Sequence, residues 1–69
     1  MDEKTYHPHQ LRVLQEKQDL GEKITKLRAF IDSDAFINTV NEVESLLLQQ
    51  QLVAMMQYDL VLQQRILIF

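Results

Sequence analysis

Gly21 and Pro8 are the only glycine and the only proline in 69 residues. Tight turns draw on those two residue types, so a chain this poor in them cannot reverse direction often. A β-sandwich or barrel needs a turn every dozen residues or so and is excluded on that ground. A single glycine also excludes the glycine-rich loops that cradle phosphates and dinucleotides. Long helices remain.

Apolar residues recur at helical spacing in two separate stretches. The first stripe is Val13, Leu20, Ile24, Leu27 and Ile31, with steps of seven, four, three and four. Pro8 suits a first helical position, where its missing N–H has no partner to lose. Gly21 lies inside the stripe and either admits a close neighbour or is merely tolerated. The helix is expected to end at Asp32-Ser33-Asp34, which can cap a short turn over Ala35–Ile37. Asn38-Thr39-Val40-Asn41 reads as connection. Asn41 followed by Glu44 forms a capping pattern for a second long helix, running from Glu42 almost to the terminus. Its stripe is Ser45, Leu48, Leu52, Met55, Asp59, Leu62, Ile66 and Phe69, and its length is about 40 Å.

Two helices joined by a short elbow pack antiparallel. The stripes then register: Ile31 faces Ser45, Leu27 faces Leu48, Ile24 faces Leu52, Leu20 faces Met55 and Val13 faces Leu62. The two numbers in each pair add to 75 or 76. The same rule sets Lys17, the charged break in one stripe, opposite Asp59, the charged break in the other. Together these readings predict an all-α antiparallel two-helix hairpin with a short helical elbow. It would be one domain over residues 8–69, preceded by a flexible segment over 1–7.

One seam does not use all the apolar residues of the second helix. Leu46, Leu47, Val53, Met56, Leu60, Val61, Leu67 and Ile68 lie off it, and the chain ends Arg65-Ile66-Leu67-Ile68-Phe69. In a small chain the hydrophobic gain of one seam nearly cancels the entropy cost of ordering it. A homo-oligomeric helical bundle, dimer or higher, is therefore expected, with Leu47, Val53, Met56, Leu60, Leu67, Ile68 and Phe69 at its interface.

Several chemistries are disfavoured. There is no cysteine for a disulfide, a thiolate or a zinc site. His7 and His9 flank a proline, which argues against a metal site. Ser33 and Ser45 have no histidine near them in sequence, so an enzyme is the least favoured class, and no cofactor is expected. The net charge of −3 argues against bulk nucleic-acid binding. It is unevenly spread: residues 1–28 hold six of the seven cations, while the remainder holds Arg65 against five acids. The start, MDEKTYHPHQ, has no export signature. The apolar second half is broken by glutamines, Asp59 and Arg65, so no membrane span and a cytoplasmic location are expected.

Candidate binding residues fall into three groups. Lys17 and Asp59 read either as an ion pair fixing helix register or as part of a polar pocket offering Lys17 to an anion. Tyr6, His7, His9 and Arg12 surround the first helix start, where rings can stack on a base and Arg12 can pair with phosphate; a frayed polar terminus is the other reading. Tyr58 and Arg65 share roughly one side of the second helix and can border a pocket with Lys17. Equally, the tyrosine ring packs with its hydroxyl in water and the arginine solubilises an apolar end.

The ordered residues His9-Gln10-Leu11-Arg12-Val13, Glu16-Lys17, Leu20, Lys23, Lys26-Leu27, Phe30-Ile31 and Phe36 resemble a family of small helical phage and prophage proteins related to a crAss-like phage protein. The likeness continues through Leu47-Leu48, Gln51-Leu52, Met55, Tyr58, Leu62 and Arg65-Ile66, spanning residues 9–69. Gly21 departs from it, since a helix former is typical there. The resemblance implies a short helical protein acting in a bacterial host cell. By looser analogy it is similar to phage anti-defence proteins that sequester nucleotide immune signals at subunit junctions. That analogy implies capture, without catalysis, of a cyclic nucleotide or ADP-ribose derivative. Arg12, Lys17 and Arg65 would neutralise phosphate, and Tyr6 or Tyr58 would stack on a base, with His9 beside them. A helical protein-interaction module that inhibits or recruits a host protein is the alternative. A structural phage component is a third.

Overall fold

The computed structural model describes residues 5–69. Among these residues are three helices: α1 over Pro8–Ile31, α2 over Asp34–Thr39 and α3 over Glu42–Leu67. The long helices α1 and α3 run antiparallel and pack along their length, with α2 as the elbow at one end. Residues 1–4 of the expected flexible segment lie outside the described range.

Each helix begins where its side chains can satisfy orphan N–H groups. Pro8 opens α1, and the His7 N–H donates to Gln10 Oε1 at 2.8 Å. Ser33 caps α2, its Oγ accepting from the Phe36 N–H at 3.3 Å. Asn41 caps α3, its Oδ1 accepting from the Glu44 N–H at 2.8 Å. Glu42 and Glu44 lie in the first turn of α3 and Arg65 in its last, where each charge opposes the helix dipole.

The elbow is longer than the sequence reading placed it. α2 runs to Thr39 rather than stopping at Ile37, so Asn38 and Thr39 are helical and not connection. Two contacts account for the added residues. The Phe36 ring packs edge-on to Phe30, centroids 5.7 Å apart, which ties α2 to the end of α1. The Thr39 hydroxyl donates back to the Ala35 carbonyl, closing the last turn.

The seam is made of the two apolar stripes. In α3, Ser45, Leu48, Leu52, Met55, Asp59, Leu62 and Ile66 are the residues withdrawn from solvent, and the rest of the helix is exposed. Among the described residues Val13, Leu20 and Leu62 are the buried ones, with Ile24, Met55, Ile66 and Phe69 packed against them. Phe69 thus serves the chain's own core, although the sequence reading also assigned it to an interface between copies. Tyr6 meets Phe69 edge-on with centroids 6.0 Å apart, adding one more layer at the same register.

The molecule measures 53 × 17 × 16 Å, with a radius of gyration of 16.0 Å. A globule of this length would have a radius of about 11 Å. A rod this thin leaves Leu46, Leu47, Val53, Leu60, Val61, Leu67 and Ile68 more than half exposed, Ile68 reaching 85 %.

Gly21 has no packing role within the chain. A Cβ placed on it meets nothing within 4 Å. Glycine in a helix interior costs roughly 1 kcal/mol against alanine. Gly21→Ala is therefore expected to stabilise the hairpin by about that amount. In a thermal melt this corresponds to a rise in Tm of roughly 4–8 °C.

Candidate functional site

Two hollows flank the seam, one on each side. Their difference follows from the residues that border each stripe.

On one side, Ile24 and Arg28 of α1 face Val53, Met56, Gln57, Asp59, Leu60 and Gln63 of α3 around a hollow of about 580 Å³. Its lining is mostly apolar. The Arg28 guanidinium crosses it, Nη2 donating to Met56 Sδ at 3.3 Å.

On the other side the α1 wall is Arg12, Glu16, Asp19 and Lys23, with steps of four, three and four. That spacing makes a continuous polar stripe directly beside the buried one. With Gln15, Leu20 and Tyr58 of α3 it encloses about 400 Å³. Arg12 and Lys23 stand at its two ends, with the two carboxylates between them. Gln15 Nε2 donates to Asp19 Oδ1 at 2.9 Å. Among the described residues neither Arg12 nor Lys23 is held in an ion pair. The Tyr58 side chain supplies an aromatic wall and is about half exposed.

Between the hollows, Lys17 Nζ donates to Asp59 Oδ1 at 2.9 Å, with side-chain exposures of 32 % and 27 %. Both charges are partly wet, so the pair contributes little to stability. Its consequence is register: shifting either helix by one turn would leave each charge against an apolar layer.

The other candidate residues lie elsewhere. His9 stacks on His7 in parallel, centroids 5.8 Å apart, at the exposed start of α1. Tyr6 lies against Phe69. Arg65 is exposed in the last turn of α3. The structure therefore brings Arg12 and Tyr58 to one hollow and leaves Tyr6, His9, Lys17 and Arg65 outside its lining. It adds Lys23, Glu16 and Asp19, which the sequence reading did not select. Their regular spacing beside the buried stripe was the available signal.

Among the described residues no group of three or more His, Asp or Glu is placed to hold a metal ion. No helix among them is long and apolar enough to cross a membrane. The hollow offers two cations for an anionic group, two carboxylates able to accept from hydroxyls, and one aromatic ring.

Comparison with known proteins gives one positive result: residues 7–68 match the Sequestin family. The match covers both long helices and the hollow between them. A link to crAss-like phage proteins forms no part of it. No curated protein and no solved structure matches.

Proposed function

The chain belongs to the Sequestin family, and from that premise we propose that it captures a small nucleotide immune signal, a cyclic nucleotide or an ADP-ribose derivative, and holds it unchanged. In this reading it is a cytoplasmic phage anti-defence protein that works as a homo-oligomer. The family name speaks of sequestration, which is binding rather than turnover.

The observation that carries the reading is the hollow lined by Arg12, Lys23 and Tyr58. Phosphate oxygens are matched by the Arg12 fork and the Lys23 ammonium. A base is matched by the Tyr58 ring, since stacking on an aromatic surface tolerates any base. Glu16 and Asp19 accept from ribose hydroxyls, the role an acid takes in dinucleotide sites. A ligand with phosphate but no ribose would meet those carboxylates as repulsion. The hollow thus favours a nucleotide over inorganic phosphate.

Calorimetric titration of the purified protein with cyclic nucleotides and ADP-ribose derivatives tests the reading. Saturable binding is expected, with the ligand recovered intact by chromatography. Silence across the panel, or recovery of a cleaved ligand, overturns it.

A further inference from the structure

The outer face of α3, opposite the seam, carries a pattern that the hairpin itself does not use. Leu46, Val53, Leu60 and Leu67 form one column, each seven residues from the next. Leu47, Ala54, Val61 and Ile68 form a second column beside it. Both columns are exposed, and exposed Gln50, Gln57 and Gln64 run between them. The charged residues of α3 are Glu42, Glu44, Asp59 and Arg65, and none of them stands in these three columns. A contiguous apolar face of this kind marks an interface.

The order of residues on the face reads the same in both directions about Gln57. Two apolar residues, a glutamine, two apolar residues and Gln57 are followed by the same series reversed. A face built for a foreign partner has no need of such symmetry. A face that pairs with itself antiparallel across a two-fold axis makes use of it, because each apolar residue then meets an apolar residue and each glutamine a glutamine.

We propose that this face is a self-interface, in which α3 pairs antiparallel with α3 of a second copy about a two-fold axis through Gln57. The proposal deepens the homo-oligomer of the previous reading by fixing which residues meet. Leu46 then lies level with Leu67 of the second copy, and Val53 with its Leu60. In the other column Leu47 lies level with Ile68 and Ala54 with Val61. Each glutamine also meets a glutamine: Gln50 meets Gln64, and Gln57 meets Gln57. A primary amide both donates and accepts, so two of them satisfy each other without charge. Slipping the register by half a heptad sets amides against leucines, so the glutamines specify alignment as buried polar residues do in coiled coils.

Residue 57 is exposed in the hairpin, so substitutions there leave the fold of one copy intact, as circular dichroism can verify. Sedimentation velocity of wild type, Gln57→Glu, Gln57→Lys and an equal mixture of the two variants reads the proposal directly. Wild type is expected to dimerise or to form a larger assembly containing this pair. Each variant alone sets like charges together on the axis, and its dissociation constant is expected to rise by at least tenfold. The mixture places opposite charges there and should associate at least tenfold more tightly than either variant alone. Since the chain has no cysteine, Gln57→Cys gives a second readout: it should oxidise to a linked dimer by itself. Gln50→Cys should do so only when mixed with Gln64→Cys. An oligomeric wild type without rescue in the mixture overturns the pairing and leaves self-association standing. A monomeric wild type overturns both. Neither result depends on whether a nucleotide binds.

Discussion

Leu62→Ala is expected to remove most of the stability of the hairpin. Leu62 is fully buried, at 0 % exposure, in one cluster with Val13 and Leu20, against which Met55 and Ile66 pack. Truncating a buried leucine to alanine costs about 2–5 kcal/mol, rising with the cavity that remains. A core in a chain of this size rarely supplies more than about 3–5 kcal/mol. The variant should therefore lose its cooperative urea transition at dilute concentration, followed by helical circular dichroism. Leu60→Ala provides the contrast. Leu60 is two residues away and 53 % exposed, so the same chemical change should barely move the midpoint of an isolated hairpin. If Leu62→Ala unfolds with an unchanged midpoint, the seam described above is not the core.

Arg12→Ala is expected to weaken nucleotide capture by roughly ten- to a hundredfold. A hydrogen bond to a charged group contributes about 1.5–3 kcal/mol, which corresponds to that range of Kd. Arg12 is exposed and outside the seam, so the unfolding free energy without ligand should stay within about 0.5 kcal/mol of wild type. Arg12→Lys separates two causes: it keeps the charge and loses the planar fork. Partial recovery by lysine assigns the contact to charge, and none assigns it to bidentate geometry. An Arg12→Ala protein that binds as tightly as wild type removes the guanidinium from the site.

The helices and their pairing were legible in the sequence because they rest on local rules. Pro8, Ser33 and Asn41 act at helix starts, and threes and fours repeat without interruption along α3. The constant sum of paired residue numbers is the geometry of an antiparallel hairpin written as arithmetic, and Lys17 and Asp59 obey it. Extended by two layers, past Ile66, the same rule sets Tyr6 against Phe69. Neither expectation for Tyr6, a ring stacked on a base or part of a frayed polar terminus, included that contact. The length of α2 was not legible, since Asn38 and Thr39 are poor helix formers on their own. The Phe36 ring meets Phe30 across elements, and the Thr39 hydroxyl closes the last turn on Ala35, contacts that spacing does not reveal.

The hollow was legible only in part, and for a related reason. Arg12 and Tyr58 have the right chemistry, but their meeting depends on how far each helix is rotated about its own axis. Spacing along α3 puts Tyr58 and Arg65 on one side of the helix without bringing α1 up to both. Lys23, Glu16 and Asp19 carry no motif. They become a wall only once α1 is laid against α3.

The short elbow has a kinetic consequence. Most of the order in this chain is within a helix or between neighbouring turns, and the two long helices are joined by few residues. Chains dominated by such near-neighbour contacts fold in microseconds to milliseconds. The proposed pairing with a second copy is bimolecular, so it is slower at low micromolar concentration and becomes faster as protein accumulates. In the self-association proposed above, assembly after a burst of synthesis would be timed by expression level rather than by folding.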